Sequence, residues 1–574
     1  MHTPLGGICQ PWRAGVDRHA VTLPEAPMLI IDTDMTGRFV SMSRLGSAVP
    51  ASVSSGWFLL NGAVAGHLFV LRGDLRRLMC SAVLLPCDTN WELVTAHWAE
   101  LLELDDFDES PFGHRLRVNP GVTRFADLAP RSGRRVRLVA TAGDHKPDPQ
   151  WVADGVVEAI TDFSDELRTL PGRIRPLVAL PIVGTGAGGF RHRRGALINA
   201  LLPALRRVAH DADVDVALVL NNERDHAAVQ NLRAGNDWGE LPSEQLSVAD
   251  ALGARAANRE LSLFLGSGVS VPLGLPDWED LLAKLNGEPL TDYSPANAPE
   301  IAQDIAEKIG VEQLHARVAE LTAISDVSPA HLLLAGLGVR QNVTTNYDLA
   351  YEAALTGRLR EKGFRTLSRQ LATESQPWLL KMHGDARWPE SIVLTTDDYA
   401  RLESDHRSVL SVVETLMLTS HLMFVGYSLE DDDFTAAGER VRQVRALAET
   451  GADGDFATVL ALHPSAVKEQ SGFTTVAMLD APDTRAAARR LEIFLDRVSW
   501  AAARADQRSH AHLLDPHYDD LFADDPAATR LRELLAPLVS VDPGDPARKS
   551  SAWKRVESLL EDLGARPGPA AYNP

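Results

Sequence analysis

Four short polar clusters each follow an apolar, strand-like run in the second half of the chain: Gly266-Ser267-Gly268-Val269-Ser270, Thr345-Asn346-Tyr347-Asp348, His383-Gly384-Asp385 and Gly426-Tyr427-Ser428. The ends of parallel strands form the ligand crevice of an open α/β sheet, so clusters at four such ends converge on one bound molecule. Glycines at the first end let a backbone approach a phosphate closely. Singly, each cluster has a plainer reading: Gly266–Gly268 as a tight turn, Asn346 as a helix cap, His383 as a structural imidazole. Their joint placement outweighs those readings.

A second glycine-rich loop lies in the first half, within "LVALPIVGTGAGGFRHRRGALINALLPALRRV" (Leu177–Val208). Gly184, Thr185, Gly186, Gly188, Gly189 and Phe190 separate a strand from a helix, and backbone N–H groups at a helix N-terminus suit an anion. Arg191, Arg193 and Arg194 follow at once, a local positive cluster fitted to a phosphorylated ligand. From this loop alone, a plain turn beside a solvated basic patch is an equal reading.

The elements that must position these residues alternate between strand and helix, the pattern of mostly parallel sheets covered by helices. Strands are predicted at His67–Leu71, Ala82–Leu85, Val136–Ala140, Leu177–Leu180 and Val214–Leu220, and then at Leu261–Leu265, Asn342–Thr344, Trp378–Met382, Leu422–Val425, Ala457–Leu462 and Thr474–Met478. Asp277 reads as a cap for a helix whose Trp278, Leu281, Leu282 and Leu285 share one face. Helices are also predicted at Ala196–Ala209, through most of Ile301–Leu337, and over Thr484–Ala503. The turn-rich stretch Arg233–Glu244 reads as a linker. The fold expected is two α/β three-layer domains, 65–235 and 245–505, after an extension, 1–64, with short strands at Met28–Ile31 and Trp57–Leu60. A helical appendix with a Pro/Gly-rich tail, 506–574, follows.

Composition narrows the function classes. The 574 residues carry a net charge of −21, which argues against direct nucleic-acid binding. The three cysteines, Cys9, Cys80 and Cys87, cannot build a four-cysteine zinc site, and no metal is expected. So few cysteines, no apolar run after a basic start and no stretch of about 20 apolar residues lead to an expectation of a cytoplasmic protein without membrane spans.

Together the four clusters of the second half, with "SPAHLLLAGL" (Ser328–Leu337) and "VLTTDDYARL" (Val393–Leu402), resemble the sirtuin family, and more closely the sirtuin-like NAD hydrolases of bacterial anti-phage defence. The resemblance implies a Rossmann-like domain that takes NAD as substrate. Gly266, Ser267, Gly268 and Ser270 would cradle its phosphates, Asn346 and Asp348 beside Thr345 would hold the nicotinamide ribose, and Gly426 and Ser428 would line the adenosine side. His383 would act on the ribose hydroxyls or position water, making Asn346 and His383 the catalytic pair. Cleavage builds oxocarbenium character at the ribose, and nicotinamide leaves from a pyridinium without a strong acid. Deacylating sirtuins carry a zinc module held by cysteines. The second half has no cysteine, which favours water as the nucleophile.

"VLRGDLRRLMCSAVLLPCDTN" (Val70–Asn90) together with the Gly184–Phe190 loop resembles the macro-domain family. That resemblance implies an ADP-ribose-type ligand, with Asp74 at its adenine and the Gly184–Phe190 loop around its diphosphate. "PCDTNWELVTAHWAELL" (Pro86–Leu102) lacks the family's glycine run, so a binding role is expected rather than adduct hydrolysis. The leading expectation is a regulated NAD hydrolase that forms a homo-oligomer and works with a partner protein from a defence operon. A deacylase or ADP-ribosyl transferase coupled to an ADP-ribose module, and a non-enzymatic nucleotide-binding scaffold, are the alternatives.

Overall fold

A computed structural model describes residues 65–88, 98, 101, 124–131, 134–142, 148–186, 189–360, 363–367, 370–373, 376–405, 407–427, 432–447, 455–464, 472–479 and 483–565. The strands expected at Met28–Ile31 and Trp57–Leu60 lie outside them. The first sheet contains β1 (Leu68–Arg72), β2 (Ala82–Asp88), β3 (Phe125–Arg131), β4 (Arg134–Ala142), β5 (Leu177–Leu180) and β6 (Asp215–Leu220). Its order is β1-β6-β5-β2-β4-β3. All neighbours pair in parallel except β3, which runs antiparallel to β4 at the edge. Helices α1 (Pro149–Phe163), α2 (Arg194–Asp211) and α3 (Glu223–Leu232) accompany it. In α1 an Asp148 carboxylate accepts from Gln150 N–H and Pro149 occupies the first turn, where no N–H is missed.

After α4 (Ser243–Ala257), the second sheet is built from β7 (Leu261–Leu265), β8 (Gln341–Thr344), β9 (Arg365–Thr366), β10 (Trp378–Lys381), β11 (His421–Val425), β12 (Ala457–Ala461) and β13 (Phe473–Ala477). It is parallel throughout, in the order β13-β12-β11-β7-β8-β10-β9. β7 and β11 are buried along their whole length, as parallel strands covered on both faces must be. The chain leaves β7 toward β8 and returns to its other side at β11, so the switch in strand order falls between the ends of β7 and β11.

Between β7 and β8 lie α5 (Trp278–Asn286), α6 (Ala298–Ile309), α7 (Val311–Thr322) and α8 (Pro329–Gly336), and α9 (Ala350–Leu359) follows β8. Asp277 caps α5 as expected, its carboxylate accepting from Asp280 N–H at 2.9 Å. Leu281, Leu282, Leu285, Ala302, Ile305, Leu314 and Val318 of α5–α7 form a satellite core that closes on Tyr347 and Leu394 beside the second sheet. Helices α10 (Thr396–Asp405), α11 (Arg407–Thr419) and α12 (Asp432–Ala446) come next, and α13 (Thr484–Ala505) follows β13.

Ala63–Pro574 forms one compact unit, and α13 accounts for much of that. Every residue from Leu491 to Ser499 is buried, so this central stretch of the helix has no solvated face. Its acids and bases reach the first sheet. Asp496 accepts from Arg233 at 2.5 Å, Trp238 Nε1 at 2.9 Å and lies 2.9 Å from His67 Nε2. Arg489 meets Asp215 at 2.8 Å, and Arg173 joins Asp215 to Glu492 at 3.2 and 2.9 Å. Buried ion pairs roughly break even against apolar replacements, whereas each fully buried Leu, Ile or Phe contributes about 1.5–3 kcal/mol. Leu491, Ile493, Phe494 and Leu495 therefore supply the attraction, and the charges fix the helix's register. The connection expected at Arg233–Glu244 is itself packed, with Arg233 and Trp238 inside this cluster. Beyond α13, Leu513, Tyr518 and Phe522 complete the core of the first sheet.

Candidate active site

Register alone brings the sequence-predicted clusters together. Leu265 pairs with Thr344 and with Val425, and Thr344 pairs with Lys381. Gly266, Thr345, Met382 and Gly426 are the next residues of these strands, so Asn346 and His383 stand on adjoining loops at the carboxyl edge of the sheet. Met382 N–H donates to Thr344 O at 2.8 Å, and Ala386 N–H donates to Tyr347 O at 3.0 Å, tying the two loops. Ser428 lies outside the described residues, so the fourth cluster is seen only through Gly426 and Tyr427.

The glycines interlock the two turns at the switch point. Gly266 N–H donates to Val425 O at 2.9 Å and Gly268 N–H to Gly426 O at 3.0 Å. A Cβ on Gly268 would stand 2.7 Å from Gly426 Cα, and Gly426 itself has φ +63°. Their conformational freedom thus serves backbone packing, while Ser267 at the tip stays exposed.

The Asn346 loop is held from within. Thr344 Oγ1 donates to Leu265 O and accepts from Asn346 N–H, both at 3.0 Å. Asn346 Nδ2 reaches Gly266 O at 3.1 Å and Ser270 Oγ at 3.3 Å. Ser270 Oγ donates to Asp348 Oδ2 at 2.9 Å, and Asp348 Oδ1 caps the next helix through Ala350 N–H at 3.0 Å. Beneath the loop Lys381 Nζ donates to the carbonyl oxygens of Tyr347 and Asp348 and to Glu352 Oε1. Burial pushes the Glu352 carboxyl up despite that ammonium.

His383 is buried, with its ring edge-on to Tyr399 at 5.5 Å. Burial lowers its pKa to about 4, so the imidazole is neutral at physiological pH. Its Nδ1 is buried with no hydrogen-bond partner among the described residues. A neutral imidazole can donate a hydrogen bond through one ring nitrogen and accept through the other. Sequence reading missed three supports of this site: Ser328, His331 and Lys381. The spacing Ser-x-x-His at the start of α8, a capping box with His in the Glu position, was the available signal for the first two.

The first sheet's clusters also sit on its carboxyl edge, at the ends of β1 and β5, with β6 between them. The Asp74 carboxylate accepts from Arg76 N–H at 3.0 Å and Arg76 Nε at 2.9 Å, and its Cβ lies against Gly357 of α9. Gly184 and Gly189 have φ of +86° and +87°, and Phe190 is buried, its N–H donating to Gly184 O at 3.1 Å. Thr185 Oγ1 bonds Ile182 O at 2.9 Å. Among the described residues, nothing lies within 4 Å of a Cβ on Gly186. Gly188 lies outside the described residues. Of the three arginines, Arg191 and Arg193 are exposed, but Arg194 is buried against Asp225, which also accepts from Tyr518 OH at 2.7 Å. Arg194 is therefore an internal anchor. A cavity of 510 Å³ lined by Arg259, Arg340, Gln341, Gln376 and Trp378 opens at the amino end of β7, β8 and β10, away from Asn346.

Comparison with known proteins bears on the second sheet. The family described as a SIR2-like domain matches residues 340–471, a span that holds Asn346, His383 and Gly426 but begins after the Gly266 turn. A protein named NAD(+) hydrolase ThsA from Acinetobacter baumannii is 26% identical over 205 residues, 35% of this chain and 42% of that protein. Its namesake from Bacillus cereus is 27% identical over 190 residues, 32% of this chain and 40% of its own length. Defense-associated sirtuin 2 of Bacillus subtilis is 28% identical over 201 residues, 33% of this chain and 20% of its own. The match spans about two fifths of the hydrolases it resembles. No helix among the described residues is long and apolar enough to cross a membrane.

Proposed function

We propose that the carboxyl edge of the second sheet cleaves the nicotinamide–ribosyl bond of NAD+, with water as the acceptor, and that the protein depletes NAD in anti-phage defence. The observation that carries this reading is that the Gly266–Ser270 turn, Asn346, Asp348 and His383 all follow neighbouring strands at one carboxyl edge, within and beside the SIR2-like match. Relatives named NAD(+) hydrolase support it.

In this reading the diphosphate lies across the Ser267 tip. The nicotinamide ribose lies over Asn346, whose amide oxygen faces a ribosyl carbon that gains positive charge as the bond breaks. Nicotinamide departs with the bonding electrons that neutralise its ring. Water adds to the ribosyl carbon, and its proton passes to a neutral acceptor such as the His383 ring. Positioning with modest base assistance, worth about 10²–10⁴-fold, is what these residues can supply. The first sheet's carboxyl edge is proposed to bind an ADP-ribose-type ligand through the Gly184–Phe190 turn, with exposed Arg191 and Arg193 beside it.

The test is to incubate the full chain with NAD+ and follow nicotinamide and ADP-ribose, with and without an acylated peptide. Nicotinamide release without peptide, lowered at least ~10²-fold in Asn346→Ala and His383→Ala, is expected. Release that needs the peptide would favour deacylation, and full turnover in both variants would remove the site.

A further inference from the structure

His331, on the first turn of α8, belongs to the hydrogen-bond network that, with the carbonyl of Gly266, orients the Asn346 amide. Its Nδ1 lies 2.8 Å from Ser328 Oγ and 3.3 Å from the Ser328 backbone nitrogen. A backbone N–H can only donate, so Nδ1 is the accepting nitrogen and the proton of the neutral ring sits on Nε2. Burial keeps the ring neutral, with a pKa of about 4. Nε2–H faces Ser270 Oγ at 3.4 Å.

Ser270 Oγ has one proton and two lone pairs. The carboxylate of Asp348, 2.9 Å away, can only accept, so the proton goes there. Both lone pairs then require donors, and the two remaining neighbours are His331 Nε2 and the Asn346 side chain. Asn346 must turn its NH₂ inward, where the second hydrogen meets Gly266 O at 3.1 Å. The amide oxygen, without a partner among the described residues, is left outward. Six residues from three separate stretches of the sequence thus form one network of donors and acceptors with a single consistent direction.

We propose that His331 is a positioning residue: through Ser270 it holds the Asn346 amide oxygen, rather than its NH₂, toward the substrate. An oxygen there accepts from a ribose hydroxyl and faces developing positive charge, whereas a flipped amide would present a donor. The proposal rests on the NAD-cleaving reading for its substrate and on the hydrogen-bond direction for its geometry.

Two measurements on the full chain test it. In protein labelled with ¹⁵N-histidine, the resonances lost in His331→Gln identify the ring, which is expected to be neutral with its proton on Nε2 near pH 7. A proton on Nδ1, or an imidazolium, overturns the proposal whatever the enzyme does. Kinetically, His331→Leu removes the donor at similar volume, while His331→Gln restores an N–H near Nε2. The Leu variant is expected to lose kcat roughly tenfold with KM changed less than about threefold, and the Gln variant to recover most of it. Equal turnover of the Leu variant and the unaltered protein, or equal loss in both variants at matched melting temperature, overturns the positioning role while NAD cleavage stands. If the unaltered protein releases no nicotinamide, the NAD-cleaving reading falls and takes the substrate role of Asn346 with it.

Discussion

The ammonium of Lys381 lies 2.6 Å from the carbonyl oxygen of Asp348, with its side chain wholly buried. One cation thus fastens the loop that carries Asn346 to the end of the strand that leads into His383. It also balances Glu352, 2.9 Å away.

Replacing Lys381 by Met leaves buried Glu352 with only the more distant Arg387, 3.4 Å away, and removes a donor from the carbonyl oxygens of Tyr347 and Asp348. Breaking a buried pair in this way costs about 3–5 kcal/mol. The denaturation midpoint of Lys381→Met is expected to fall accordingly, and Lys381→Met with Glu352→Gln to recover part of the loss. Equal stability of the single variant and the unaltered protein would show that the pair contributes nothing.

Gly426 is the tightest point of the switch. At φ +63°, a Cβ there would stand 2.6 Å from Val269 N. The left-handed backbone costs about 1–2 kcal/mol for alanine, and the overlap adds about 1–3 more. Gly426→Ala is expected to lower thermal stability and to separate the two turns, so that NAD turnover drops with it. A variant with unchanged melting temperature would contradict the interlock.

Gly186 is the opposite case, with no described residue within 4 Å of the position a Cβ would take. Gly186→Glu is expected to fold with an unchanged melting temperature yet place a carboxylate in the proposed anion site. Calorimetry with ADP-ribose should show binding to the unaltered chain and none to the variant. Heat of equal size from both would leave the loop as a plain turn.

The strands were the legible part of the sequence. Leu177–Leu180 is a continuous apolar run and Leu261–Leu265 is apolar but for Ser262, and the structure gives those same limits. β3 was not legible, because "FADLAPR" mixes charge and proline with apolar residues on an antiparallel edge. α13 was legible as a helix over Thr484–Ala503, but its enclosure was not, because the partners of Arg489, Glu492 and Asp496 at positions 215, 173 and 233 are placed only by the fold. The polar strand ends could be read because chemistry concentrates there. The partnership of Ser270 with His331, 61 residues apart, follows only from the packing of α8.

Five buried imidazoles predict acid sensitivity. Burial foremost lowers the pKa of His226 to about 3 and of His331, His383, His421 and His512 to about 4. Each is neutral in the folded chain and gains a proton on unfolding once the pH is below about 6.5, the free value. Their contribution is therefore complete above that pH and is lost as pH falls toward about 4. At pH 5 the loss is at most roughly 2 kcal/mol per ring. Urea denaturation at pH 7.5 and 5 is expected to show lower stability in acid, with a shallower slope in His421→Gln. A flat profile over that interval would refute the assignment.

Because the central stretch of α13 is enclosed on every side and lends its charged residues to the first sheet, the two halves cannot be exchanged like beads on a string. A fragment cut near position 245 would strip Asp496 and Arg489 of Arg233 and Asp215, leaving ions facing a torn surface. Recombination that swaps one sheet for another must carry a matching helix with it. For the same reason, any message between the two carboxyl edges has to pass as a slide or twist of packed helices, by shear rather than by a hinge.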